Sequence, residues 1–243
     1  MLIQGTSISV TYRRIEGIKK AYYNHEDLLK KYFNDATVLP VPDDAPVDIP
    51  RIIIKTLHEH AQLNISPTAA TFVVQYNEGY EKNWELASQY IQERMSSVFS
   101  FLNILTENQY EYIGVVSNII YDDIMENGAE RIVKTLLNSD KIRNIHDINI
   151  KYTFVENDHI FVNIMLQNAR LFKDGVIDDI AGELNDKNQT AESIGAIIDI
   201  NDRYGFNNCP SYHSDSEKLM EILSSMGNVI NHKLKTLIEE GAY

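Results

Sequence analysis

The sequence predicts an α+β protein with two layers of mainly antiparallel sheet, each backed by a long helix. Short stretches alternate apolar and polar residues with the period of two that is typical of half-buried strands. Two long stretches instead repeat apolar residues at steps of three and four, as an amphipathic helix does. Because the strand stretches are grouped rather than interleaved one for one with helices, a doubly wound parallel sheet is not expected.

The N-terminal half is expected to span residues 1–108. Four of the six prolines fall in residues 38–50 and predict a stiff, extended crossing segment, because proline fixes φ and restricts the residue before it. The short gaps between the strands that follow favour an antiparallel meander. The predicted elements are a strand at 6–14, a short helix at 25–33, strands at 51–57, 61–66 and 69–76, and a long helix at 84–105.

The C-terminal half, residues 109–243, is expected to repeat the order of strands followed by a long helix. No sequence similarity between the halves is strong enough to indicate a repeat. The adjacent aspartates Asp122-Asp123 and Asp178-Asp179 predict solvated loops. The predicted elements are a strand at 110–121, a helix at 127–137, a hairpin of strands at 148–155 and 160–171, an acidic loop or marginal helix at 173–192, a strand at 193–204 and a helix at 215–240.

Charge and composition exclude several classes of protein. The 243 residues include 35 acidic and 22 basic side chains, for a formal charge of -13. Binding a nucleic-acid backbone depends on clustered Lys and Arg, so nucleic acid is not expected as the main partner. No run approaches the roughly 18 to 20 apolar residues of a membrane span, and the start lacks the pattern of a signal peptide. We therefore expect a cytoplasmic protein without a membrane partner.

The tripeptide His58-Glu59-His60 is the first candidate site. Histidines two apart would point the same way if the strand before them continued, and two imidazoles could begin a metal site that needs at least one more ligand. The alternative is a polar hairpin turn between two predicted strands, and the sequence favours the turn.

The acidic residues near the end of the last predicted strand are the second candidate. The run from Asp199 to Asp202 resembles the opening of a calcium loop, but Tyr204 and Pro210 occupy the positions that need glycine and glutamate. Alternation places Asp199 and Asn201 on an exposed polar face. The pair Asp199 and Asp202 is kept as a candidate for acid–base or metal chemistry.

The aromatic residues of the long helix at 84–105 could serve an interface or the core. Aromatic side chains are favoured in both places, and the sequence favours the core. The candidate interface residues are Trp84, Tyr90, Phe99 and Phe101.

Cys209 precedes His213 by four residues, and the two could form a nucleophile pair. The favoured interpretation is instead an ordinary loop cysteine in a reducing compartment.

The segment Pro46-Val47-Asp48-Ile49-Pro50-Arg51, followed by a strand, is the most distinctive stretch. With the helix around Trp84 and the C-terminal helix containing His232, it resembles a sporadically distributed family of uncharacterised bacterial proteins with a P-x-x-I-P-R segment. The family's usual arginine-rich strand is replaced here by Val115-Val116-Ser117-Asn118. The resemblance implies a similar fold and a patchy distribution of the kind found for phage defence or similar accessory systems.

These observations favour a non-catalytic subunit that binds a protein partner or itself, within a bacterial accessory system such as phage defence. No nucleotide-binding glycine loop and no G-x-S-x-G elbow is present, and no cofactor is expected. The alternative is a metal-dependent hydrolase that uses His58, His60 and nearby carboxylates.

Overall fold

The elements follow the periodicity of the sequence closely. The computed structural model describes residues 1–42, 44–121, 127–139, 141–172 and 189–243. The strands are β1 (Leu2–Thr11), β2 (Thr37–Val38), β3 (Ile52–Lys55), β4 (Ala61–Ile65), β5 (Ala69–Gln75), β6 (Tyr112–Tyr121), β7 (Asn149–Glu156), β8 (Ile160–Phe172) and β9 (Gln189–Asn201). The helices are α1 (Ile18–His25), α2 (Trp84–Thr106), α3 (Gly128–Leu136), α4 (Arg203–Asn208), α5 (Ser216–Asn228) and α6 (Leu234–Glu240).

All nine strands belong to one sheet in the order β2-β3-β4-β5-β1-β6-β9-β8-β7, and every neighbouring pair is antiparallel. The predicted α+β class with a mainly antiparallel sheet is confirmed. The predicted separation into two sheets is replaced by one continuous sheet, because β1 pairs with β6 from Leu2 opposite Ile120 to Thr11 opposite Tyr112. At the middle of this pair, the hydroxyls of Thr6 and Ser117 lie 2.9 Å apart and are buried.

The two halves repeat one order of elements. A strand, a helix, three antiparallel strands and a helix occur first as β1, α1, β3 to β5 and α2, and then as β6, α3, β7 to β9 and α5. The sheet order β3-β4-β5-β1 is mirrored by β6-β9-β8-β7. An approximate two-fold axis perpendicular to the sheet, between β1 and β6, would exchange the two halves. Each helix would then remain on the same side of the sheet.

The core follows the alternation of each strand. Alternate side chains such as Ile8, Phe72 and Val115 are fully buried, and they join residues of α2 and α5 in one hydrophobic cluster. The two helices approach closely at Gly227, where a Cβ atom would lie 2.8 Å from Cδ1 of Trp84. No helix in the described part of the chain is long and apolar enough to cross a membrane.

Two predicted helices differ from the observed ones. The short helix predicted at 25–33 instead begins at Ile18 and ends at His25, followed by one 3-10 turn. Ile18 and Tyr22, which are four residues apart and buried, give α1 its apolar side. The C-terminal helix runs from 216 to 240 as predicted, with Asp215 as its N-cap, but it contains a π-helical segment at Val229–Lys233.

The proline-rich segment crosses to the sheet and is held by Arg51. This side chain is 1% exposed, and its guanidinium donates hydrogen bonds to the carbonyls of Ala45, Pro46 and Ile49 at distances from 2.5 to 3.4 Å. The P-x-x-I-P-R segment is therefore a loop whose final arginine donates hydrogen bonds to the backbone carbonyls of the same loop.

Residues 173–188, and with them Asp178-Asp179, lie outside the described residues, as does Asp122-Asp123.

Candidate functional site

One face of the sheet, here called the open face, carries the side chains that alternate with the buried ones. The register aligns them in three rows across the strands, and each is exposed or half-buried. The first row is Lys55, Gln62, Val73, Ser7, Val116, Asp199, Asn163 and Thr153. The second is Ile53, Asn64, Thr71, Ser9, Gly114, Asn201, Phe161 and Val155. The third is Gln75, Gly5, Asn118, Ile197, Met165 and Lys151.

The open face contains few charges. Its 22 residues include two lysines and one aspartate, for a formal charge of +1 in a chain of -13. The rest are hydroxyl and amide side chains, glycines, and apolar residues such as Val73, which is 37% exposed. A depletion of charged residues is the compositional feature that distinguishes the centre of a protein interface from other surface.

Asp199 is the single acid of the open face. Its carboxylate accepts hydrogen bonds from the side-chain amides of Asn201, at 2.8 Å, and Asn163, at 3.4 Å. The predicted alternation of Asp199 and Asn201 against buried isoleucines is observed. The carboxylate thus keeps its charge and is hydrogen-bonded by two neutral amides.

Asp202 does not share a site with Asp199. It is fully buried just beyond β9, where one oxygen accepts the backbone N–H of Ile113 at 2.6 Å and the other accepts the hydroxyl of Tyr212 at 2.7 Å. Burial and then the bond to Asp202 raise the pKa of Tyr212, because both disfavour a phenolate. Asp202 therefore fixes the segment between β9 and α5 to β6.

The four aromatic residues proposed for an interface have two different environments. Trp84, Phe99 and Phe101 are 4%, 6% and 0% exposed, so they pack inside the chain. The indole N–H of Trp84 donates to the carbonyl of Leu223 at 3.2 Å and joins α2 to α5. Tyr90 lines one cavity at the surface, and Phe99 lines another, of about 310 Å³, between α2 and α5. Trp84 and Phe101 line neither of these cavities.

His58 and His60 occupy the turn between β3 and β4, as the hairpin interpretation predicts. Both line a cavity of about 450 Å³ that is closed on its other side by α2 and by the segment between β5 and α2. We call it the tyrosine pocket. Its polar lining residues are His58, His60, Gln75, Tyr76, Asn77, Tyr80, Tyr90 and Arg94.

Arg94 is the cation of the tyrosine pocket. Its guanidinium lies 3.7 Å from the ring centroid of Tyr90 and 4.9 Å from that of Tyr32, while Tyr80 contacts Tyr90 edge to face at 5.8 Å. One terminal nitrogen donates to Glu93 at 2.8 Å. The Nε of Arg94 and the hydroxyl of Tyr90 are buried and have no hydrogen-bond partner among the described residues. Such unpaired groups are uncommon in folded proteins.

Among the residues that the structure describes, a metal site at His58 and His60 finds no third ligand. None of the described residues that line the pocket is an acid or a cysteine. Within the described ranges, no group of three or more His, Cys, Asp or Glu side chains is placed to hold a metal ion. The two histidines are brought together with Arg94 and the tyrosines, a set of donors that suits an anion better than a cation.

The C-terminal half has a cluster of polar side chains between the equivalent elements. The β7–β8 turn places His159 against α5, where Glu221 accepts from Lys218 at 2.7 Å and from the amide of Asn157 at 3.2 Å, and lies 3.1 Å from Nε2 of His159. Burial raises the pKa of Glu221, but the interactions with Lys218, His159 and Asn157 outweigh it, so the pKa lies below its ordinary value. In this half Lys218 is thus paired with an acid of the chain.

Cys209 and His213 line a second cavity, of about 470 Å³, together with Arg13 and Arg14. Cys209 is exposed, and its sulfur lies 3.4 Å from the hydroxyl of Ser211. Hydrogen bonds from the Ser211 side chain and backbone lower the pKa of the thiol below its ordinary value. The polar partner of the thiol in this loop is a serine rather than the histidine that a nucleophile pair would use.

Sequence reasoning identified the two histidines but not Arg94, Tyr76 or Tyr80. These residues come from α2 and from the segment before it, and no spacing in the sequence relates them to the β3–β4 turn.

No protein-family model matches the chain, and no curated protein matches it.

Proposed function

We propose that this chain is a non-catalytic assembly subunit that binds a second copy of itself through the open face of its sheet. The observation that carries the proposal is the scarcity of charge on that face. Two bodies with a formal charge of -13 repel each other, and this repulsion is weaker between surfaces where charge is scarce.

The proposal includes the layered arrangement expected from the sequence, in which each half of the sheet is backed by its own long helix. The buried side chains of the strands share one cluster with residues of α2 in the first half and of α5 and α6 in the second. These helices leave most of the alternating side chains of the open face available to a partner, although Tyr204 of α4 contacts the ring of Phe161.

The extent of the open face suits an interface of ordinary size. The three rows supply 22 residues, within the roughly 20 to 30 per side of a specific interface. Apolar side chains such as Ile197, Met165 and Phe161 are interspersed with amides and hydroxyls, a composition typical of associations in which each subunit also folds alone.

Sedimentation velocity over a range of micromolar concentrations tests the proposal. We expect a concentration-dependent dimer that the double variant Val73→Glu, Asn118→Glu weakens by about tenfold or more, because it places two acids on each facing surface. Leu86→Glu is the matched control: Leu86 is 47% exposed on α2, away from the open face, and its replacement should leave the dimer unchanged.

Thermal melts of all three proteins establish that the variants fold. A wild-type chain that is monomeric at every concentration refutes self-association. A dimer that tolerates the open-face variant but is lost in Leu86→Glu would place the interface on the helices instead.

A further inference from the structure

We propose that the tyrosine pocket binds a small organic anion through a carboxylate or phosphate group. This inference does not depend on the proposed self-association, since the pocket lies at the β3–β4 turn and against α2, and Gln75 is the only one of its lining residues that also belongs to the open face. The ligand's apolar part would lie against the tyrosine rings, and its anionic group against Arg94.

The lining of the pocket is matched to an anion. Its volume of about 450 Å³ is within the range of small-molecule sites. Among the described residues, the side chains around it include one arginine, two histidines and three tyrosines but no acid, although the chain has 35 acidic residues. Every one of these groups can donate a hydrogen bond, and none carries a negative charge at neutral pH.

Arg94 is held in place at the wall of the pocket before any ligand binds. The rings of Tyr90 and Tyr32 contact its guanidinium, and Glu93 accepts from only one of its nitrogens. The Nε–H donor is left without a partner, as is the hydroxyl of Tyr90. Arginine presents its donors in a planar fork that fits the two oxygens of a carboxylate or phosphate.

The C-terminal half shows what occupies this position when the chain supplies the anion itself. At the equivalent hairpin turn and helix, the carboxylate of Glu221 accepts from Lys218 and Asn157 and lies 3.1 Å from Nε2 of His159. In the N-terminal half, histidines on the turn and a cation on the helix recur. Glu93 pairs with one nitrogen of Arg94 at 2.8 Å, but neither Glu93 nor any other acid of the described chain lines the pocket. We infer that a carboxylate or phosphate from outside takes the role that Glu221 has in the second half.

Isothermal titration calorimetry with benzoate, phenyl phosphate and benzyl alcohol tests the proposal on the full chain. We expect saturable binding of benzoate or phenyl phosphate at one site, and no saturable binding of the neutral benzyl alcohol. The tighter of the two anions identifies the preferred group. Absence of saturable binding for both anions would overturn the proposal, and so would binding of benzyl alcohol as tight as that of benzoate.

Two variants locate the site. Arg94→Lys retains the charge but not the planar fork, and it should weaken binding about tenfold or more. Tyr90→Phe retains the ring and removes only the unpaired hydroxyl, so it should fold normally and weaken binding several-fold. Arg143→Lys and Tyr23→Phe, at exposed positions outside the pocket, are the matched controls. Wild-type affinity in both pocket variants would show that the anion binds elsewhere and would refute the assignment.

Discussion

The buried hydrogen bond between Thr6 and Ser117 should contribute measurably to the stability of the junction between the two halves. The two hydroxyls lie 2.9 Å apart on neighbouring central strands, and the residues are 2% and 0% exposed. Thr6→Val replaces the hydroxyl by a methyl group of similar shape and leaves the hydroxyl of Ser117 without this partner in the core. Such a loss costs roughly 1 to 3 kcal/mol.

The expected change is large enough to measure. For a domain of this size, each kcal/mol lowers the thermal midpoint by about 2 to 4 °C, so a cost of about 2 kcal/mol corresponds to roughly 4 to 8 °C. Urea unfolding can be followed by the fluorescence of Trp84, the only tryptophan, which is 4% exposed and contacts both halves through α2 and α5. Thr71→Val, at a half-buried position of the open face, is the matched control and should change stability by less than about 0.5 kcal/mol.

A double-mutant cycle isolates the bond itself. Ser117→Ala removes the other hydroxyl, and the double variant removes the pair, so no unpaired group remains. We expect the double variant to be more stable than the sum of the single losses implies, by about 1 kcal/mol. Additive losses would refute the reasoning, because they would show that the two hydroxyls do not interact in solution.

Three further outcomes are expected. Arg51→Lys should lower the free energy of unfolding by about 2 kcal/mol, because one ammonium cannot replace the hydrogen bonds from the guanidinium to the carbonyls of the proline-rich segment. An unchanged thermal midpoint would contradict this expectation. Burial raises the pKa of Glu156, but the hydrogen bond from Lys233 and further bonds outweigh this effect and hold the pKa below 4.5. The stability that the pair of Glu156 and Lys233 contributes is therefore complete above pH 4.5 and is lost as the pH falls through the folded-state pKa. Glu156→Gln should therefore flatten the stability profile in that acidic window, and a profile as steep as that of the wild type would argue against the pair. Ser211→Ala should raise the pKa of Cys209 and slow its alkylation near neutral pH, as followed by iodoacetamide kinetics from pH 6 to 10; identical pH profiles would exclude the Ser211 hydrogen bond as the cause.

Local periodicity was sufficient to predict most elements of the fold. The long helix predicted at 84–105 is observed at Trp84–Thr106, and the hairpin predicted at 148–155 and 160–171 is observed as β7 and β8. The joining of the halves into one sheet was not predictable in this way. The pairing of β1 with β6 joins residues such as Thr6 and Ser117, which are 111 positions apart, and alternation within a strand does not specify its neighbours.

The candidate site was predicted only in part, for a similar reason. The polar turn at His58-Glu59-His60 has a local signature, and it is observed where that signature places it. Arg94 and Tyr90 have the appearance of ordinary helix residues, and their role as a cation and a donor facing the same cavity depends on how α2 packs. Asp199 and Asp202 are only three positions apart in sequence, but tertiary packing places them in different environments. Asp199 lies on the open face and Asp202 in the core, and their spacing in the sequence did not indicate this.

The repeated order of elements has a consequence for how the sheet is completed. Either half alone would leave β1 or β6 as an unpaired edge, a row of free backbone donors and acceptors that tends to associate with another strand. Two separate copies of one half could pair these edge strands only by dimerising, and both the rate and the extent of dimerisation depend on concentration. The covalent connection from α2 to β6 makes the encounter intramolecular, so the long central seam of the sheet forms equally well in a dilute chain.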